Sequence, residues 1–322
     1  MKLNNKKTYL YSAAFTLFIL LTITLWLSFK QEHLNVKLES FNQGIFEHPA
    51  DIIEFNGTFW VTELLSSKVI QTNFDMSRAQ HSLRHPNPKK KFSSPHHLAA
   101  DENTLFFSGG WGSSIYSFNR SLSEFSEIKN KNSSKKSGLN APHGICRQGK
   151  WLYIADSLNS RLLRIDVNSP TNSEVFTDHN QLISYGRQII CTDNDIWVSN
   201  SYEKREGLNV GKGSNVLKIS DFSSGKAEIV TKFPNTNITG IYLHNDRFLF
   251  TAQWHANSIS IFDIKTQKTI NHLQLPPSSA GVPYGMFFSN NTNRLYISFI
   301  GDIYGKKNKG GIAVYTVENN LF

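Results

Sequence analysis

"NAPHGICRQGKWLYIADSLNSRLLRID", residues 140–166, is the stretch whose reading decides the fold. A Pro-His pair opens an apolar run, Gly149 and Lys150 make a tight turn, and a second apolar run ends at Asp156. A loop then leads to a third run, "RLLRID". Two apolar runs joined by so short a turn read as a β-hairpin, and the third run extends it into a meander. The same wording stands earlier in the chain as "SSPHHLAADENTLFFSGGWGSSIYSF", residues 93–118.

Repetition then carries outward to the whole chain. Comparable openings are "PADI" at Pro49, "PHHL" at Pro95, "PHGI" at Pro142, "GRQI" at Gly186, "ITGI" at Ile238 and "PYGM" at Pro283, with steps of 46, 47, 44, 52 and 45 residues. In five of the six units the second run is expected to end fourteen residues after the opening, at Glu63, Gly109, Asp156, Asn200 and Ala252. The sixth arrives two residues late because its turn, "SNNTN", is longer. A period in the forties with four strands per unit predicts an all-β, six-bladed β-propeller of four-stranded antiparallel blades. Fourth strands are expected at "SEFSEI", "SEVFTD", "AEIVTKF" and "TINHLQL". The sixth unit lacks a fourth strand, whereas "LNVKLESF", 34–41, has no partner, so this segment is expected to complete the last blade and remove the open edges.

"APHGICRQGKWLYIADSLNSRLLRID" resembles an NHL repeat: P-x-G-I, a short turn, an apolar run ending in Asp, then Asn-x-Arg-I. That resemblance implies a six-bladed propeller over about residues 45–317. It also implies that Asp156 and Arg161 are structural partners holding a loop. NHL-type and related propellers include binding platforms as well as metal-dependent lactonases and lyases, so the resemblance speaks to architecture before function.

The amino terminus carries a different signal. Lys2, Lys6 and Lys7 precede the uncharged run "YLYSAAFTLFILLTITLWLSF", residues 9–29. At about 1.5 Å per residue this run spans a bilayer core of roughly 30 Å. It is longer than a secretory h-region and has no small-x-small cleavage site, which favours an uncleaved anchor over a signal peptide or a core helix. Lysines before the run place the amino terminus in the cytoplasm and export the rest. Residues 1–33 are therefore read as cytoplasmic tail and transmembrane anchor, and 34–322 as the extracytoplasmic propeller.

Net charge is +9 and the pI about 9.4, which favours an anionic partner: a small molecule, a glycan or a protein. Twelve lysines and arginines fall in four loops, 89–91, 129–136, 204–212 and 306–307, all expected on one face. No phosphate loop or RNA-recognition signature occurs, and nucleic acid is not expected as a partner. The two cysteines, Cys146 and Cys191, sit one position out of step on neighbouring inner strands and are read as packed thiols in preference to a bridge.

The second residue of each opening should project toward the axis: Ala50, His96, His143, Arg187, Thr239 and Tyr284. Loops after the second strands should bring Trp111, Tyr202 and Trp254 over the same face, as aromatic walls around a polar floor. His96, His143, Arg187, Tyr284, Trp111, Tyr202 and Trp254 are thus the candidate ligand-binding set. Trp60 and Trp151 begin second strands and read as blade packing. In the resembled family, amidating lyases hold zinc with a His after Pro in alternate blades. Here only His96 and His143 stand at that position, in adjacent blades, and a third ligand would have to come from His97, His255 or Glu63. A divalent metal on His96 and His143 is accordingly a weaker reading than an anion held by the two histidines with Arg187. The carboxylates by which lactonase-type propellers grip calcium are missing from this ring. Binding without chemistry is the first expectation; a hydrolase or lyase using His96 or His143, with Arg187 stabilising negative charge, is the alternative.

Overall fold

The computed structural model describes residues 32–43, 45–128, 138–201, 213–234, 236–277, 280–301 and 309–321. The chain divides into two compact units, Met1–Lys37 with Val317–Phe322, and Leu38–Thr316. In the first, the described part is two strand ends, 32–37 and 317–321, across which Asn35 donates to Glu318 at 3.4 Å. The predicted anchor, 9–29, lies outside the described residues. Among the described residues no helix is long and apolar enough to cross a membrane.

The second unit is the six-bladed propeller. Each sheet has four strands, and each of the first five runs in chain order from the innermost strand outward. The inner strands are Pro49–Phe55, Pro95–Ala100, Pro142–Gln148, Tyr185–Cys191, Ile238–His244 and Val282–Ser289. Each touches the next, and the first touches the sixth, so the ring is closed. The sixth sheet runs Val282–Ser289, Arg294–Ile300, Gly311–Leu321, then Glu32–Asn42. The segment before the first blade therefore completes the last one. Arg294 grips Glu39 of that strand with two hydrogen bonds, of 2.6 and 2.7 Å.

First and second strands are apolar on both sides because each blade shares its core with the next. Ala155, Ile189, Val198 and Leu217, for example, form one cluster between blades three and four.

Two features of the ring go beyond the sequence reading. In every blade the pairing of the first two strands slips by one near the opening, as between Pro142 and Ile145. This bulge turns the inner strand's carbonyls sideways, toward the preceding blade. There, one hydroxyl per interface captures a carbonyl: Thr62 that of His96, Ser108 that of His143, Ser157 that of Gly186, Ser201 that of Ile238, Thr239 that of Pro283 and Ser298 that of Ala50. The six bonds run once around the ring.

Several expectations need correction. The cysteines are not packed thiols: Cys146 and Cys191 form a disulfide, with Cα atoms 5.7 Å apart. Their one-position offset makes them face each other across the interface between blades three and four. The second strand of blade five ends at Gln253, not Ala252, because the turn at Asn245 and Asp246, both with positive φ, is one residue longer. Blade one has a fourth strand, Ala79–Leu83, that no apolar pattern announced; its first three residues are exposed. The fourth strand of blade three is only Ser173–Val175.

Candidate functional site

The bulge that binds the blades together also aims side chains down the axis. His96 and His143, from blades two and three, meet edge to face with ring centroids 4.4 Å apart, both buried. One local device holds each ring. The residue before the Pro-His pair, Ser94 or Ala141, takes a left-handed conformation with φ 51°. Its carbonyl then accepts from the histidine Nδ1, at 2.7 Å for His96 and 2.9 Å for His143. Left-handed backbone at a non-glycine residue costs free energy, and finding it twice at one repeat position marks a constrained site.

A carbonyl can only accept, so Nδ1 carries the proton and Nε2 of the neutral ring presents a lone pair. His143 Nε2 lies 3.3 Å from the Tyr185 hydroxyl. Burial lowers both imidazoles, with the neighbouring positive charge of Arg187 adding to it: His96 to about 3, His143 well below its ordinary value. Both rings are neutral at pH 7.

Trp111 stands over this pair, 6.1 Å from the His96 ring and 6.4 Å from His143, yet 63 % exposed. The "GGWG" loop that carries it is tied to both histidine supports. Gly110 donates to the Ser94 carbonyl at 2.9 Å, and the Gly112 carbonyl accepts from Ala141 at 3.0 Å. A side chain at Gly110 would collide with the His96 ring, so only glycine lets the backbone cross the imidazole this closely.

Arg187, half-buried in blade four, lays its guanidinium over Tyr185 at 4.8 Å. Tyr284 comes within 6.4 Å of His96 on the other side, and Trp254 packs edge-on against Tyr284 at 5.9 Å. Ala50, Leu64, Tyr284 and Ile300 form an apolar cluster there, with Trp254 against it. The opening thus has a polar half from blades two to four and an apolar half from blades five, six and one. Of the predicted set, His96, His143, Arg187, Tyr284, Trp111 and Trp254 come together; Tyr202 lies outside the described residues. Thr239 is occupied in the hydroxyl ring. Of the basic loops only Lys89–Lys91 are described, and they are exposed in the segment leading into blade two; 129–136, 204–212 and 306–307 lie outside.

The three proposed extra metal ligands are engaged elsewhere. His97 Nδ1 lies 3.2 Å from an Asp51 carboxylate oxygen, and its ring stacks on Tyr284. His255 faces Asn237 at 3.3 Å. Glu63 accepts from the backbone of Glu47 and His48. Among the described residues no group of three His, Cys, Asp or Glu could hold a metal ion. Asp156 and Arg161 pair at 2.7 Å, and Asp156 also caps Asn140, holding the loop into blade three. Trp111 was expected in its loop on this face, but Tyr185 and the close crossing of the Gly110 backbone over His96 were missed: Tyr185 stands just before a repeat opening, and the three glycines of "GGWG" were the warning of a crossing backbone.

No family model matches the sequence, and no curated protein matches it. Solved structures do resemble the fold. A streptogramin B lyase is 16 % identical with a TM-score of 0.59, over 88 % of this chain and 98 % of that one. Virginiamycin B lyase from Staphylococcus aureus is 14 % identical with a TM-score of 0.57, over 89 % and 99 %. The PQQ-bound aldose sugar dehydrogenase from Streptomyces coelicolor is 12 % identical with a TM-score of 0.63, over 90 % and 100 %. At such identities the likeness establishes the architecture, the six-bladed β-propeller, and leaves the activity to the residues themselves.

Proposed function

We propose that this chain is a membrane-tethered, exported propeller of NHL type that binds a small anionic ligand, or the anionic group of a partner, in the opening ringed by His96, His143 and Arg187. One observation carries the reading: two neutral imidazoles with Nδ1 tied back to strained carbonyls, beneath an exposed tryptophan and beside an arginine. Arg187 would take the anionic group. His143 Nε2 already accepts from the Tyr185 hydroxyl, and the His96 Nε2 lone pair would repel an anion, so the ligand must also carry a hydrogen-bond donor. Trp111 and the cluster around Tyr284 suit a flat apolar body. The disulfide supports an oxidising compartment, in keeping with an exported domain behind the run 9–29.

A hydrolase or lyase based on His96 fits less well. A base lowered to about 3 has little driving force to take a proton at neutral pH.

4-Hydroxybenzoate has the required carboxylate, donor and ring. Its titration against the full-length protein in detergent should give saturable quenching of tryptophan fluorescence. Trp111→Phe should remove most of the signal, and raising salt should weaken binding. Saturable binding of neither this probe nor any of a panel of small carboxylates and phosphates would overturn the reading.

A further inference from the structure

Both cysteines of the chain stand in one joint of the ring, between the inner strands Pro142–Gln148 and Tyr185–Cys191. The polar half of the opening is assembled across that same joint. His143 comes from the first of these strands, and Tyr185 and Arg187 come from the second.

Three contacts tie the two strands together. At the opening, the Tyr185 hydroxyl donates to His143 Nε2 at 3.3 Å. One residue on, Gly144 lies so close to the Arg187 carbonyl and the Ile189 nitrogen that a Cβ there would collide with both. Farther along, Cys146 and Cys191 are bonded to each other. The contacts advance in step along both strands: His143 with Tyr185, Gly144 with Arg187 to Ile189, Cys146 with Cys191. A slide or splay of one strand against the other therefore moves His143 relative to Tyr185 and Arg187. The Ser157 hydroxyl on the Gly186 carbonyl also resists such movement, but a single hydrogen bond is a weak restraint beside a covalent one.

This joint has particular need of a restraint. It sets an imidazole, a phenol hydroxyl and a half-buried guanidinium side by side, groups that water solvates better than a blade interface does. A site shared between two rigid sheets also tolerates only about 0.5 Å of misplacement before its contacts weaken.

We propose that Cys146 and Cys191 are positioning residues: their bond holds Tyr185 and Arg187 against His143, and breaking it lowers the affinity of the opening for its anionic ligand. This rests on the binding site proposed above. Cys191 is partly exposed, and both cysteines line an open cavity of about 230 Å³ among the inner strands, which gives a reductant access. A dithiol such as dithiothreitol breaks the S–S bond by thiolate attack. Two electrons and two protons pass to the protein, which is left with two thiols, and the reagent closes into its own cyclic disulfide.

The test uses full-length protein in detergent: oxidised, reduced with dithiothreitol, and as Cys146→Ala with Cys191→Val. Binding of 4-hydroxybenzoate should be at least fivefold weaker in the reduced protein and in the variant, and reoxidation should restore it in the wild type. Arg294→Ala, which releases Glu39 in blade six, should leave the affinity unchanged. Ring-nitrogen NMR without ligand is the second readout. The His143 Nε2 signal should shift on reduction, as the hydrogen bond from Tyr185 lengthens, while that of His272 on an outer strand should not. If the reduced protein unfolds, the alanine–valine variant decides by the same two measurements. Should even the oxidised protein bind no 4-hydroxybenzoate, the proposed ligand site fails, and the His143 signal still decides whether the bond positions Tyr185. Unchanged affinity in the folded protein without the bond, or an unshifted His143 signal, would overturn the inference.

Discussion

A histidine can be a switch, a base or a fixed acceptor, and the difference lies in what its second nitrogen touches. In His96 and His143 that nitrogen is tied to a carbonyl and the ring is buried, so both are fixed acceptors. The unfolded chain takes up protons near pH 6.5 and the folded rings do not, so their contribution to stability is present above pH 6.5 and lost as pH falls. Ring nitrogen NMR should therefore find both neutral, with the proton on Nδ1, at pH 5; titration near 6.5 would contradict this. Glu63 behaves in the opposite sense. Burial, outweighing its hydrogen bonds to Glu47 and His48, raises it from 4.5 to about 7. Its folded form holds the proton more tightly, so its contribution is full below about 4.5 and lost as pH rises through about 7. Glu63→Gln should flatten that part of the stability profile, by about 3 kcal/mol between the two limits. An unchanged slope in denaturant titrations across pH 4.5–8 would show that Glu63 is not the group responsible. In the sequence, the Pro-His repeat made both histidines legible, but not their protonation, which depends on Ser94 and Ala141 adopting a conformation no propensity favours.

At the scale of elements, apolar runs and turn residues revealed the first three strands of each blade, because the first two are buried on both sides, the third is partly buried, and turns rich in Asn, Asp and Gly bound them. The fourth strands were least legible. They lie at the periphery, as the fully exposed Ser173–Val175 and Lys268–His272 illustrate, and carry little hydrophobic signal. The bulge was hidden for a different reason: it is a property of pairing, and its trace was only a recurrent Ser or Thr near the end of second strands, as in Thr62, Ser108 and Ser298. Each of those hydroxyl bonds contributes about 1 kcal/mol, and each also fixes the angle between two blades. The disulfide acts at the same joints. It closes a loop with a sequence separation of 45, for which chain entropy gives about 4 kcal/mol. Replacing both cysteines by serine should lower the melting temperature, and a reducing agent should lower that of the wild type but not of the variant. Equal melting with and without reductant in the wild type would deny the bridge a role in stability.

At the scale of the whole molecule, the completed sixth sheet explains how an open-ended repeat becomes a ring. Deleting residues 1–42 removes the strand Glu32–Asn42 and leaves Gly311–Leu321 as a bare edge. That variant should aggregate or unfold in a broadened transition, whereas deletion of 1–31 alone should leave cooperative unfolding intact. Closure was legible from the count of strands; the division of the opening into a polar and an apolar half was not, since it depends on which blades neighbour which around the axis. The central claim is that three blades jointly build one binding site. Its most direct measure is the dissociation constant for 4-hydroxybenzoate in the wild type, in His96→Ala, His143→Ala and Arg187→Ala, and in the His96→Ala, Arg187→Ala double variant. Each single change should weaken binding about tenfold or more, and the double change by less than the product of the two, because both groups hold one ligand. Wild-type affinity in all three single variants, or strictly multiplicative losses, would contradict the account.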